Sequence, residues 1–162
     1  MNLNVSEQDL MFLQKAIELS RKGMQGGHGG PFGCVIVKDG KIIGEGYNQV
    51  TSSNDPTAHA EVVAIRKACE HLGTWQLENC DVYASCEPCP MCLGAIYWAR
   101  PRRVVYANTR QDAAAVEFDD DFIYREISAP VTERKIPFIC CAMPEAKAVF
   151  EEWKALGGKI KY

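Results

Sequence analysis

The sequence predicts an α/β domain of three layers, helices covering both faces of a mixed sheet of about five strands. Three observations carry that expectation. Apolar runs of strand length alternate with helix-like segments along the chain. The first two strand candidates flank Asp39-Gly40, a pair that accepts the positive φ angles of a tight hairpin, so the sheet begins antiparallel. The remaining strands are separated by helices, which makes the sheet mixed. The chain, residues 1–162, is the size of one domain with a sizeable core.

Each element has a local reason. Ser6 caps a helix over about 7–22, where Leu10, Leu13, Ile17 and Leu19 form one apolar side and Gly23 is read as the stop. Gly26-Gly27-His28-Gly29-Gly30-Pro31 follows a helix and precedes a strand, the reverse of a phosphate cradle, and is read as a loop. Strands are expected over 34–37 and 42–47. Past Asn54-Asp55-Pro56, a helix is expected from His59 to Leu72, closed by Gly73. A strand over 81–85 leads to a helix that Pro90 opens and that ends before Pro101. Strands are expected again over 103–106 and 136–141, and a last helix over 144–156.

Composition excludes several classes. Hydrophobic residues make up 47% and charged ones 24%, as in soluble globular proteins, and no apolar run is long enough to span a bilayer. The first residues lack the basic start and apolar core of a secretory leader, so the cytoplasm is the expected compartment. A formal charge of −3 leaves no electrostatic footprint for nucleic acid and favours a small, free substrate. Eight cysteines in a chain without a leader point away from a disulfide framework, and the clustering of Cys86, Cys89 and Cys92 points to metal.

The chemistry is concentrated in two short motifs. His59-Ala60-Glu61 and Pro88-Cys89-Pro90-Met91-Cys92 together make the H-x-E with P-C-x-x-C signature of zinc deaminases. His59, Cys89 and Cys92 are the expected zinc ligands, and Glu61 the acid–base group that does not touch the metal. At a first helical turn His59 and Glu61 can address one centre, while Cys89 and Cys92 share a face where the helix dipole favours thiolates. Three protein ligands leave a fourth position for water, which zinc brings to a pKa of about 7, so hydroxide attacks the amine-bearing ring carbon while Glu61 moves the protons. Cys86-Glu87-Pro88-Cys89 is a second C-x-x-C. If Cys86 were a fourth ligand the site would be closed and the chain a structural zinc module. It is read instead as a packed thiol, and Glu87 is given no role.

Over nearly its whole length the chain resembles the cytidine-deaminase-like superfamily, and within it the small bacterial guanine deaminases. The stretches that carry this are Gly30-Pro31-Phe32-Gly33, residues 53–61, residues 85–101, and Phe118-Asp119-Asp120-Asp121-Phe122-Ile123-Tyr124. The resemblance implies that fold, hydrolysis of guanine to xanthine and ammonia, and one Zn²⁺ per chain. It implies Asn48 as a base-binding amide, Asp120 as the substrate carboxylate and Tyr162 as an aromatic closing the pocket. It also implies a homodimer in which the C-terminal segment, about 144–162, is exchanged between protomers. Guanine suits an acidic partner on chemical grounds, because its N1–H and 2-amino group are adjacent donors that a carboxylate can accept. The spacing leaves open which of Asp119, Asp120 and Asp121 faces the base. Phe32 and Trp98 are candidates for stacking on it. The alternatives are a deaminase of cytosine or another aminated heterocycle, and a tRNA adenosine deaminase, which shares the metal motif.

Overall fold

Asp39 (φ 49°) and Gly40 (φ 72°) form the tight turn that the Asp-Gly pair requires, joining β1 (Gly33–Lys38) to β2 (Lys41–Tyr47). The computed structural model describes residues 5–160. A four-stranded mixed sheet is completed by β3 (Cys80–Cys86) and β4 (Arg103–Asn108), in the order β2-β1-β3-β4. β1 is antiparallel to β2 and to β3, whereas β3 and β4 are parallel.

Alternation along the central strands builds the layers. Val35, Val37 and Tyr83 pack with Leu13 and Leu19 of α1 (Glu7–Gln25) on one face. Cys34, Ile36 and Val82 point the other way, onto Ala60, Ala64 and Ala68 of α3 (Ala60–Leu72). That second layer also contains α4 (Pro90–Ala99), the crossover between the parallel strands β3 and β4. Short helices α2 (Val50–Ser53) and α5 (Arg110–Ala114) occupy connections to which the sequence reading assigns no element.

Ser6 caps α1 in a reciprocal box: its hydroxyl accepts from the Asp9 N–H at 3.1 Å and the Asp9 carboxylate accepts from the Ser6 N–H at 2.8 Å. The helix runs past Gly23, the expected stop, to Gln25. Gly23 is buried with the Tyr47 ring against it, so it serves close packing instead of termination. Gly46 does the same for α3, since a Cβ there would overlap the Ala60 carbonyl. The start of α3 therefore rests directly on the end of β2.

The expected fifth strand, over 136–141, is not one. It has no regular structure and its side chains are exposed. Pro137 has no N–H to donate to a ladder, which works against a strand here. This segment belongs to a second compact unit that begins at Asp121, the first ending at Asp120. The second unit holds α6 (Asp121–Ser128), a 3₁₀ turn (Val131–Glu133) and α7 (Pro144–Ala155). None of its described residues is buried. Among the described residues no helix is long and apolar enough to cross a membrane.

Candidate active site

Two helix starts bring the chemistry together. His59 is the N-cap residue of α3 in an extended conformation and makes no capping bond, so its ring is available, while Glu61 lies in the first turn, 8% exposed. Cys89 is the N-cap residue of α4, Pro90 opens the helix, and Cys92 is buried in its first turn.

His59 Nδ1 lies 3.5 Å from Cys89 Sγ and 3.5 Å from Cys92 Sγ. All three donor atoms lie within 4.8 Å of one another. A tetrahedral Zn²⁺ with ordinary Zn–N and Zn–S bonds separates such atoms by about 3.6 Å, so the donor set fits one zinc ion per chain. A hydrogen bond from Cys92 and the adjoining His59 ring pull Cys89 down to about 4, keeping a thiolate in the cluster. The Cys89 sulfur in turn raises the His59 pKa, against the effect of burial. Cys86 stands apart: its Sγ donates to the Thr109 carbonyl at 3.5 Å, and burial pushes its thiol up to about 11. Among the described residues no fourth ligand joins the cluster.

A cavity of about 360 Å³ opens over this cluster, a size typical of small-molecule sites. His59, Glu61, Cys89, Asn48, Phe32 and Asp120 all line it. Burial raises the Glu61 carboxyl above the usual range, opposed in part by hydrogen bonding. Burial also raises Asp120, with the nearby Cys89 charge adding to the effect. Of the three successive aspartates, Asp120 is the one that lines the cavity. The Asn48 side chain is oriented by the backbone: Oδ1 accepts from the Gly30 N–H at 3.3 Å and from the Val50 N–H at 3.2 Å. A Cβ at Gly29 would overlap that oxygen. What Asn48 has left to offer is its amino group, a donor.

The remaining expectations divide. Phe32 lines the cavity and meets the Phe118 ring edge-on, centroids 4.9 Å apart at 89°. Trp98 is not brought to the cavity; it is 65% exposed on α4. Tyr162 lies outside the described residues. Phe118, Glu87 and Arg110 also line the cavity and were not anticipated there. Phe118 stands two residues before Asp120, which was the one available sign.

Residues 6–108 match the model of the cytidine and deoxycytidylate deaminase zinc-binding region. The chain belongs to this family of zinc-dependent hydrolytic deaminases. Within it, the chain is 58% identical over 151 residues to guanine deaminase of Bacillus subtilis, covering 93% of this chain and 97% of that one. The X-ray structure of that guanine deaminase superposes with a TM-score of 0.92 at 57% identity, covering 94% of this chain and 98% of the other. A tRNA-specific adenosine deaminase of Streptococcus pyogenes is 41% identical over 111 residues, 68% of this chain and 64% of that one.

Proposed function

We propose that the chain is a guanine deaminase, converting guanine and water to xanthine and ammonia. The observation that carries the reading is that Asp120 lines one cavity with Glu61 and with His59 and Cys89 of the His59–Cys89–Cys92 cluster. The similarity to Bacillus subtilis guanine deaminase extends along nearly the whole chain and supports it.

His59, Cys89 and Cys92 hold the metal. Zinc, when bound there, supplies Lewis acidity that activates water near neutral pH. Glu61 takes a proton from water and passes it to a ring nitrogen, then takes the proton of the newly formed hydroxyl and gives it to the departing amine, so that ammonia leaves and a carbonyl remains. Asp120 accepts from the adjacent N1–H and 2-amino donors, and Asn48 donates to an acceptor of the base. Phe32, held by Phe118, packs on the planar ring. Adenine and cytosine have no ring N–H beside the reacting amine, so Asp120 would lose one of the two donors that it accepts from in guanine.

The enzyme is further read as a homodimer in which the C-terminal segment, about 144–162, is exchanged and Tyr162 closes the partner's cavity. The second unit favours this, because in a single chain Phe122, Ile136, Phe138, Ile139, Phe150 and Trp153 all remain exposed. The cytoplasm is in keeping with eight cysteines that are all unpaired.

Ammonia release from zinc-loaded protein, measured across guanine, adenine, cytosine and tRNA, tests the reading. Turnover of guanine far above the others is expected. Inosine formation in tRNA with no turnover of guanine would replace it with the adenosine-deaminase reading.

A further inference from the structure

The segment that ends in Asp120 must be held at a fixed distance from the metal cluster, and one side chain spans the two. Glu87 stands two positions before Cys89, on the loop between β3 and α4. Its backbone N–H donates to the Asn108 carbonyl at 2.8 Å, and its carboxylate Oε2 accepts the Arg110 N–H at 3.1 Å. Glu87 therefore grips the end of β4 and the start of α5 at two points. From Arg110 onward the chain folds tightly on itself: the Phe118 N–H donates to the Ala113 carbonyl at 3.0 Å, and the Glu117 N–H to the Ala114 carbonyl at 3.1 Å. Phe118 and Asp120 are carried on this short, internally bonded piece.

We propose that Glu87 is a positioning residue for substrate specificity, a strut between the metal-bearing loop and the Arg110–Asp120 segment that sets where the Asp120 carboxylate meets the base. The proposal rests on the guanine deaminase reading for its kinetic consequence and on hydrogen bonding alone for its structural one. The strut needs an acceptor oxygen at the reach of a glutamate side chain. It does not need charge.

Three substitutions separate reach from charge. Glu87→Gln keeps an acceptor at the same reach, Glu87→Asp keeps the charge but is one methylene shorter, and Glu87→Ala removes both. Two measurements are made on zinc-loaded protein: KM and kcat for guanine, and hydrogen exchange of the Arg110 amide by NMR. Glu87→Gln is expected to match the parent in both. Glu87→Asp and Glu87→Ala are expected to raise KM by about ten-fold, the size of one lost hydrogen bond, with a smaller change in kcat. Both should also release the Arg110 amide to faster exchange, with zinc still at one ion per chain.

A Glu87→Asp protein that behaves as the parent while Glu87→Gln is impaired would overturn the proposal in favour of a charge role. So would an Arg110 amide that stays protected in Glu87→Ala, or a loss confined to kcat. If Glu87→Ala fails to fold, the Gln and Asp variants decide alone. The exchange measurement does not depend on which base is turned over, so failure of the strut and failure of the guanine reading give different results.

Discussion

The amide oxygen of Asn48 accepts the backbone N–H of Gly30 at 3.3 Å, which fixes the side chain so that a donor is what it presents to the cavity. Asn48→Asp keeps an oxygen for Gly30 and Val50 and replaces the donor with an acceptor. The variant should fold and hold zinc, with KM for guanine raised about ten-fold or more. An unchanged KM, measured beside zinc content, would remove Asn48 from base recognition.

Glu61 is buried beside the cluster and lines the same cavity. Glu61→Gln preserves shape but cannot accept and return a proton. Zinc content should remain at one ion per chain while kcat falls about 10²- to 10⁴-fold. Full turnover by the zinc-loaded variant would end its role as the proton carrier.

Cys86 and Cys89 should part company in metal analysis. Because the Cys86 thiol is turned to the Thr109 carbonyl, Cys86→Ser is expected to purify with a full complement of zinc. Cys89→Ala should lose most of it. Zinc lost from Cys86→Ser would mean a closed four-ligand centre and a structural role for the metal.

A second cluster governs acid stability. Arg103 donates to Asp9 at 2.6 Å and to Asp81 at 3.0 Å, and the Tyr83 hydroxyl donates to Asp9 at 2.5 Å. Burial alone would raise both carboxyls. The bonds from Tyr83, Ser6 and Arg103 outweigh it at Asp9, and those from Arg102 and Arg103 outweigh it at Asp81, so both are lowered. A lowered folded-state pKa contributes stability that is complete above the unfolded aspartate value of about 3.9 and is lost as pH falls below it. Urea unfolding should therefore weaken steeply below pH of about 4. Arg103→Met should cost about 1–3 kcal/mol at pH 7 and flatten that acid slope. Parallel acid profiles for parent and variant would refute this account.

The proposed exchange of the tail can be tested by complementation. One chain carries Glu61→Gln with an intact tail, and the other keeps Glu61 but ends at Gly158. Each homodimer should be nearly inactive, and the purified mixed dimer should recover activity through a site that combines Glu61 with the other chain's Tyr162. A silent mixed dimer would contradict the exchange.

Much of the metal site was legible because it is local. His59 with Glu61, and Cys89 with Cys92, are separated by one or two residues, and their positions at helix starts follow from capping and from Pro90. The hairpin and the mixed sheet followed equally from Asp39-Gly40 and the spacing of the strands. Apolar character was a poorer guide than local motif. Residues 136–141 have the composition of a strand but no regular structure, and Trp98 on α4 is not among the residues that line the cavity. Glu87 was silent for the opposite reason, since its meaning lies in a bond to Arg110, 23 positions away.

The contact of Gly46 with Ala60 has a consequence for how such an enzyme changes. Because the hairpin and the imidazole-bearing helix are in backbone contact, the hydrolytic end has no slack with which to accommodate a different ring. The stretch after β4 is held instead through backbone hydrogen bonds, which leave its side chains free to vary. New substrates should therefore be gained by rewriting residues 109–120, with the water-splitting apparatus inherited intact.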